Sequence, residues 1–311
     1  MNIVVLGAGA LGGAIGGVLA ESGCAVTLVT RNAAQVDAIR RDGLRLVEDG
    51  RERRVAVAAA TGCVGLAVAE LVIVLVKSYD TRAAIASARG LVGGHTAVLS
   101  LQNGLGHEEV LAEVVGRDRV LAGKTYVGGV MLAPGRILVG RAGKETLIGE
   151  LDGRVSPRAL AIRDAFQRAG LTLTVSENIV GTMWDKLLVN VATGALSGIT
   201  RLTYGELYRL PEVEACAVAA VAEAMAVARA GGVALATREP RDAWIKAAEG
   251  LPADFRTSML QSLEKGAPTE IDDINGAVVR AGRRCGVATP VNQTLVAAIK
   301  GIEHRARLQA A

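Results

Sequence analysis

The sequence predicts an α/β protein in two parts, a parallel sheet with crossover helices over residues 1–176 and an all-helical domain over 177–311. Two observations predict it. Short apolar runs alternate with amphipathic segments through the first half, and beyond Ser176 the runs give way to long Ala-rich stretches of helical periodicity. With 311 residues, half of them hydrophobic, the chain has apolar material for two cores.

In chain order, residues 3–6, 26–30, 71–76, 96–101 and 171–175 read as buried strands, with helices such as 32–41 and 79–89 between them. That alternation gives βαβ units with right-handed crossovers. Residues 44–47 and 55–58, joined across Asp49-Gly50, read as a hairpin appended to the sheet. Helices are expected over 177–191, 212–230, 254–265 and 270–284. Pro211 opens the second of these and Gly231-Gly232 closes it. Thr269 with Asp272 three residues on approximates a capping box, Gly286 ends the fourth helix, and Thr289-Pro290 starts a last one.

Composition excludes several classes. Residues 3–20 are apolar over nearly a membrane-spanning length, but glycine recurs at 7, 9, 12, 13, 16 and 17 and no basic stretch precedes the run. It reads as strand, turn and helix, with no signal peptide or membrane span, and the expected location is the cytoplasm. Cys24, Cys63, Cys216 and Cys285 are scattered, with only three histidines, so no metal site and no disulfide framework is expected. The net charge is +4, and the densest basic cluster (Arg51, Arg53 and Arg54) is interrupted by Glu52. Aromatics at 3% are too few for stacking on bases, so no nucleic-acid partner is expected. A mildly basic surface suits an anionic small molecule.

The chemistry begins at Gly7-Ala8-Gly9-Ala10-Leu11-Gly12, which follows the first strand and opens a helix. In that context a GxGxxG string is the dinucleotide turn of a Rossmann-type domain. Its first glycine permits the tight turn, the second lets backbone approach a pyrophosphate, and the third allows close helix–strand packing. At the end of the second strand, where NAD-binding domains carry an acid for the ribose hydroxyl, the chain reads Thr30-Arg31-Asn32. No acid stands there to repel a 2′-phosphate and Arg31 can clamp one, so NADP is favoured over NAD. Lys77 and Asn103 follow two further strands at ends where open α/β sheets bind ligands. Lys77 offers a cation to the adenosine phosphates and Asn103 an amide near the nicotinamide.

Together these residues resemble the ketopantoate reductase family. The likeness continues through Val76-Lys77-Ser78, Gln102-Asn103-Gly104-Leu105-Gly106 and Trp184-Asp185-Lys186-Leu187-Leu188-Val189-Asn190, then Thr257-Ser258-Met259-Leu260 and Thr269-Glu270-Ile271-Asp272-Asp273-Ile274-Asn275-Gly276. The resemblance implies NADPH-dependent reduction of 2-dehydropantoate to pantoate. It also implies a C-terminal domain like that of 6-phosphogluconate dehydrogenase. It makes Lys186 the catalytic lysine, Asn190 a substrate amide, Ser258 a substrate hydroxyl and Glu270 a catalytic carboxylate. Asn103 then serves substrate as well as cofactor. Taken alone, Lys186 reads as a surface lysine and Glu270 as first-turn helix decoration. On a helix Lys186 and Asn190 share a face, and an ammonium there can stabilise a carbonyl oxygen gaining charge and protonate it.

Two positions depart from the family pattern. Gly194-Ala195 stands where many members carry Asn-Pro, and Tyr204 precedes Gly205-Glu206-Leu207 where an asparagine can serve the substrate. A different, bulkier 2-oxo acid fitting beside Gly194 is therefore the first alternative, and a non-catalytic NADP-binding redox sensor the second. The small-molecule partner is a 2-oxo acid in either enzymatic case. The Ala-rich helices leave a homodimer open, since they can pack within a subunit or across a two-fold axis.

Overall fold

A computed structural model describes residues Met1–Ala310, which divide into two compact units. The first comprises Met1–Gln102 and His107–Ile179; the second comprises Asn103–Gly106 and Val180–Ala311.

The first unit runs β1 (Asn2–Leu6), α1 (Ala10–Glu21), β2 (Ala25–Val29), α2 (Ala33–Asp42), β3 (Leu44–Glu48), β4 (Arg51–Val55), β5 (Ala58–Ala60) and β6 (Ala69–Val74). It continues with α3 (Thr81–Ser87), β7 (Val92–Ser100), α4 (His107–Val115), β8 (Val120–Thr125), β9 (Gly128–Ala133), β10 (Arg136–Gly140), β11 (Glu145–Glu150), α5 (Pro157–Arg168) and β12 (Thr172–Val175). The main sheet has eight strands in the order β12-β11-β8-β7-β6-β1-β2-β5. From β5 to β8 every pairing is parallel, and β11 reverses direction against β8. Numbered among themselves, the six parallel strands lie in the 3-2-1-4-5-6 order of dinucleotide-binding sheets, with the switch in direction at β1.

The apolar runs are continuous because both faces of this sheet are covered. Ile3, Val5, Leu71, Ile73 and Leu99 join one core with residues of α1 and α5. Their neighbours Val4, Leu6, Val72, Val74 and Val98 join another with Ile85 of α3 and Leu111 of α4.

The predicted hairpin exists, but its register and its place differ from expectation. Asp49 and Gly50 both take positive φ, giving a two-residue turn that sets Arg51 opposite Glu48 and Arg53 opposite Leu46. The basic cluster is therefore itself the strand β4, and residues 56–57 lie beyond it. Arg53 reaches Glu21 at 2.8 Å and Glu48 at 2.9 Å. The hairpin belongs not to the main sheet but to a second one, ordered β4-β3-β10-β9. The strands β8 to β11 follow one another with no helix between them, so the strand–helix alternation that marks the other strands does not reveal them.

The helix α1 lies between the two sheets. A Cβ on Gly16 would meet Leu28 of β2 at 2.5 Å, and one on Gly13 or Gly17 would meet Ile137 at 2.1 Å or Leu44 at 2.6 Å. Within each glycine pair the first residue thus faces the main sheet and the second the other sheet, which explains why the helix has so few side chains of its own.

The second unit holds α6 (Ile179–Thr200), α7 (Tyr204–Leu207), α8 (Pro211–Ala230), α9 (Pro240–Ala248), α10 (Ser258–Glu264), α11 (Asn275–Cys285) and α12 (Pro290–Ala310). Ala217, Ala220, Ala224 and Ala228 of α8 are fully buried, small enough to let helices approach closely. Glu223 of α8 accepts from the amides of Val291 and Asn292 at 2.8 and 3.0 Å, so one helix caps the start of another.

Three helix predictions need correction. The helix expected over 254–265 covers only Ser258–Glu264, capped by Thr257. The helix containing Lys186 runs on to Thr200, because Gly194 and Gly198 pack beside Met259 and Ile299 rather than ending it. The helix expected from Glu270 is broken: Ile271–Asp273 form a 3₁₀ turn and α11 starts only at Asn275. The Asp273 carbonyl, which a continuous helix would use internally, accepts instead from the amide of Leu105 at 3.0 Å. Among the described residues no helix is long and apolar enough to cross a membrane.

Candidate active site

The turn between β1 and α1 is built as the glycine pattern requires. Gly7 has φ +102°, and a Cβ there would lie 2.6 Å from the Leu75 backbone, so only glycine fits. A Cβ on Gly12 would sit 2.1 Å from the Gly7 carbonyl oxygen. Gly9 differs: it is exposed, and a Cβ there would meet nothing within 4 Å. Nothing within the chain demands glycine at 9, whereas a ligand lying on that backbone would. No side chain caps α1 and its first turn holds no acid, so the amides of Ala10, Leu11 and Gly12 form an anion cradle. Ala8 is fixed from behind by buried Gln35, whose side chain donates to the Ala8 carbonyl at 3.4 Å and accepts from Gly135 at 2.7 Å.

Arg31 and Lys77 stand at strand ends flanking this turn. Arg31 follows β2, and Lys77 follows β6, which ends at Val74 rather than at 76 as read from sequence. Asn32 caps α2, accepting from the Gln35 amide at 3.2 Å. The local sequence holds no acid beside Arg31; the tertiary structure supplies one. Asp80, from the turn after Lys77, lies 2.5 Å from the Arg31 guanidinium. Gln102 is also newly placed: it is buried, and its amide donates to the Val76 carbonyl and the Thr81 hydroxyl, both at 2.8 Å. It ties the ends of β6 and β7 together and is unavailable to a ligand.

Asn103 belongs with the helical unit. In the loop Asn103–Gly106, Gly104 has φ +95°, and a Cβ there would lie 2.4 Å from the Asp273 carbonyl oxygen. The loop therefore sits directly on the turn that begins after Glu270. That turn is pinned from α12, where Glu303 accepts from both the amide and the hydroxyl of Thr269, at 2.7 and 2.6 Å. Glu270 is half-buried between these anchors.

Lys186 and Asn190 are half-buried on one face of α6. Their neighbour Asp185 faces another way and accepts from the amides of Ala236 and Thr237, at 3.0 and 2.9 Å, so its role is structural. Further along the same face come Thr193 and Gly194. The Thr193 hydroxyl is 3.1 Å from that of Tyr204, and a Cβ on Gly194 would stand 3.6 Å from the Met259 methyl. The room expected at Gly194 is thus bounded by Met259. Tyr204 is buried against Tyr208 and Phe255, with Tyr208 stacked on Trp244, so half of the chain's few aromatics gather here. Burial pushes both phenols above their ordinary range, so both stay protonated near neutral pH. Ser258 is exposed at the first position of α10, its neighbour Thr257 acting as the cap.

One further carboxyl escaped sequence reading. Glu108, in the first turn of α4, is buried with its Oε1 lacking a partner, and burial pushes it up to about 8.

Residues 3–153 match the family described as "Ketopantoate reductase PanE/ApbA", and residues 178–303 match "Ketopantoate reductase PanE/ApbA C terminal". The chain belongs to the ketopantoate reductase family. It is accordingly an oxidoreductase acting on a CH–OH/ketone group. The 2-dehydropantoate 2-reductase of Halobacterium salinarum is 39% identical over 296 residues, covering 95% of this chain and 96% of that one. A PanE/ApbA family ketopantoate reductase from Ralstonia eutropha JMP134 has TM-score 0.90 at 35% identity, covering 99% of this chain and 100% of that one. The ternary structure of D-mandelate dehydrogenase with NADH and anilino(oxo)acetate has TM-score 0.89 at 26% identity, covering 99% and 100%.

Proposed function

We propose that this ketopantoate reductase family member reduces a 2-oxo acid to the 2-hydroxy acid with NADPH, that 2-dehydropantoate is its substrate, and that Lys186 is the general acid. The observation that carries the reading is the pairing of Lys186 and Asn190 on one half-buried face of α6. An ammonium placed there is partly withdrawn from water, where its field on a carbonyl oxygen is stronger.

The nicotinamide, when bound, supplies the hydride. The cradle fits a dinucleotide: Gly9 is open, and the first-turn amides of Ala10, Leu11 and Gly12 can hold a pyrophosphate. Arg31 and Lys77 answer the adenosine phosphates, and Asn103 the nicotinamide amide and the substrate. Lys186 neutralises charge on the substrate oxygen and delivers its proton. Asn190 and Ser258 hydrogen-bond the acid, and Glu270 orients the lysine or accepts from a substrate hydroxyl. The proposed setting is the cytoplasm, with a small-molecule partner.

A second reading is favoured by one observation: Gly194 and Tyr204 stand where the family can offer amides, with Met259 and Thr193 beside them. That lining suits an aryl or otherwise bulky 2-oxo acid, in keeping with the D-mandelate dehydrogenase likeness. NADPH oxidation against a panel of 2-oxo acids separates the two. Ketopantoate dominating in kcat/KM supports the first; an aryl oxo acid dominating replaces it with the second. In either case Lys186→Ala should lower kcat by about 10²–10⁴-fold while leaving the NADPH Kd within about twofold. Undiminished turnover in that variant would end the assignment.

A further inference from the structure

Asp80 immediately precedes α3, but its carboxylate makes no capping hydrogen bond to that helix. Its ion pair is with Arg31, from the far side of β1, because β2 and β6 are the two neighbours of β1 in the sheet. The pair therefore bridges the strand ends on either side of the one from which the glycine turn leaves. Arg31 is 81% exposed and Asp80 24%, so the acid is the seated partner and the guanidinium extends to it.

We infer that Asp80 sets the choice between the two dinucleotides. NAD-binding sheets place an acid at the end of the second strand; here an acid reaches the same guanidinium from the turn after β6. A 2′-phosphate seeking Arg31 meets a carboxylate already there and must share the cation with it. A ribose 2′-hydroxyl meets an acceptor instead. Two effects oppose each other in NADPH binding. Holding Arg31 in place helps, but an ion pair this exposed is worth no more than about fivefold in affinity. Repulsion between a carboxylate and a doubly charged phosphate a few ångströms apart, at surface dielectric, amounts to about tenfold or more. Repulsion wins, so Asp80 narrows the preference for NADPH and makes NADH an effective ligand. Asp80 is in this sense a specificity-determining residue, and the inference rests on the nicotinamide reading above.

The test is equilibrium titration of wild type, Asp80→Asn, Asp80→Ser and Asp80→Glu with NADPH and with NADH, followed by dinucleotide fluorescence at fixed salt. Asp80→Asn and Asp80→Ser should tighten NADPH about three- to tenfold and weaken NADH at least threefold, while Asp80→Glu, which keeps the charge, should hold the wild-type ratio. Either neutral variant suffices if the other fails to fold. A ratio of the two Kd values unchanged within twofold, or a loss of NADPH affinity in the neutral variants, overturns the inference while leaving the enzyme assignment intact. Failure of the wild type to bind either dinucleotide brings down the nicotinamide reading itself, and this inference with it.

Discussion

The helices α1 and α6 each carry half of the proposed chemistry, and they do it by opposite means. α1 works through backbone: its residues are small because sheets press on it from both sides, and its ligand-facing groups are amides common to every residue. α6 works through side chains: it is longer, mostly buried, and contributes one lysine and one asparagine from a narrow half-buried strip. A backbone site is specified by what must be absent, a Cβ, whereas a side-chain site is specified by what is present. Substitution should therefore damage the two in different currencies.

The largest effect expected is on α6, where Lys186→Ala costs turnover about 10²–10⁴-fold with an unchanged melting temperature. Loss of fold in that variant would break the comparison, since it would make the lysine structural. On α1 the largest effect is on stability. Gly12→Ala gains about 1 kcal/mol of helix propensity but drives a methyl into the Gly7 carbonyl, which cannot yield without moving β1. A net loss of more than about 3 kcal/mol is expected by denaturant unfolding. Gly9→Ala sharpens the contrast within one turn: stability should be within about 0.5 kcal/mol of wild type, while dinucleotide affinity falls about tenfold by titration. Wild-type affinity in that variant would mean the open glycine serves no ligand. Asn190→Ala should raise KM about tenfold, the cost of one hydrogen bond, with the fold intact.

A last effect, on pH dependence, concerns Glu108. Burial raises its carboxyl to about 8, so the folded chain holds a proton that the unfolded chain releases near the ordinary carboxylate value. Between those two values stability falls as pH rises, at most by about 1.4 kcal/mol per pH unit. Glu108→Gln, which cannot ionise, should flatten that slope. Melting curves from pH 5 to 8 should show the variant gaining on wild type by about 1 kcal/mol or more, and parallel curves would contradict the burial account.

Legibility in the sequence followed the same division. The strand–turn–helix around Gly7 to Gly12 could be read directly, since glycines in that context have few other uses. Helix starts at Pro211 and Pro290 and the stop at Gly286 were equally plain. β8 to β11 escape the alternation of strand and helix because they follow one another directly and pair antiparallel, β9 with β10 and β8 with β11. The basic run Arg51–Val55 became a strand because a two-residue turn put it opposite β3. Lys186 and Glu270 gained roles only from resemblance, since a single lysine or glutamate carries no pattern of its own.

By itself the sequence determined the order of elements, the change from mixed to helical texture near Ser176, and the one turn able to receive a pyrophosphate. These are local consequences of side-chain periodicity and of missing side chains. Tertiary structure alone decided that α1 lies between two sheets, that the segment after Glu270 turns to meet Leu105, and that Asp80 stands against Arg31. Each of these depends on residues far apart in the chain meeting across strands or helices, and no window of sequence contains both partners.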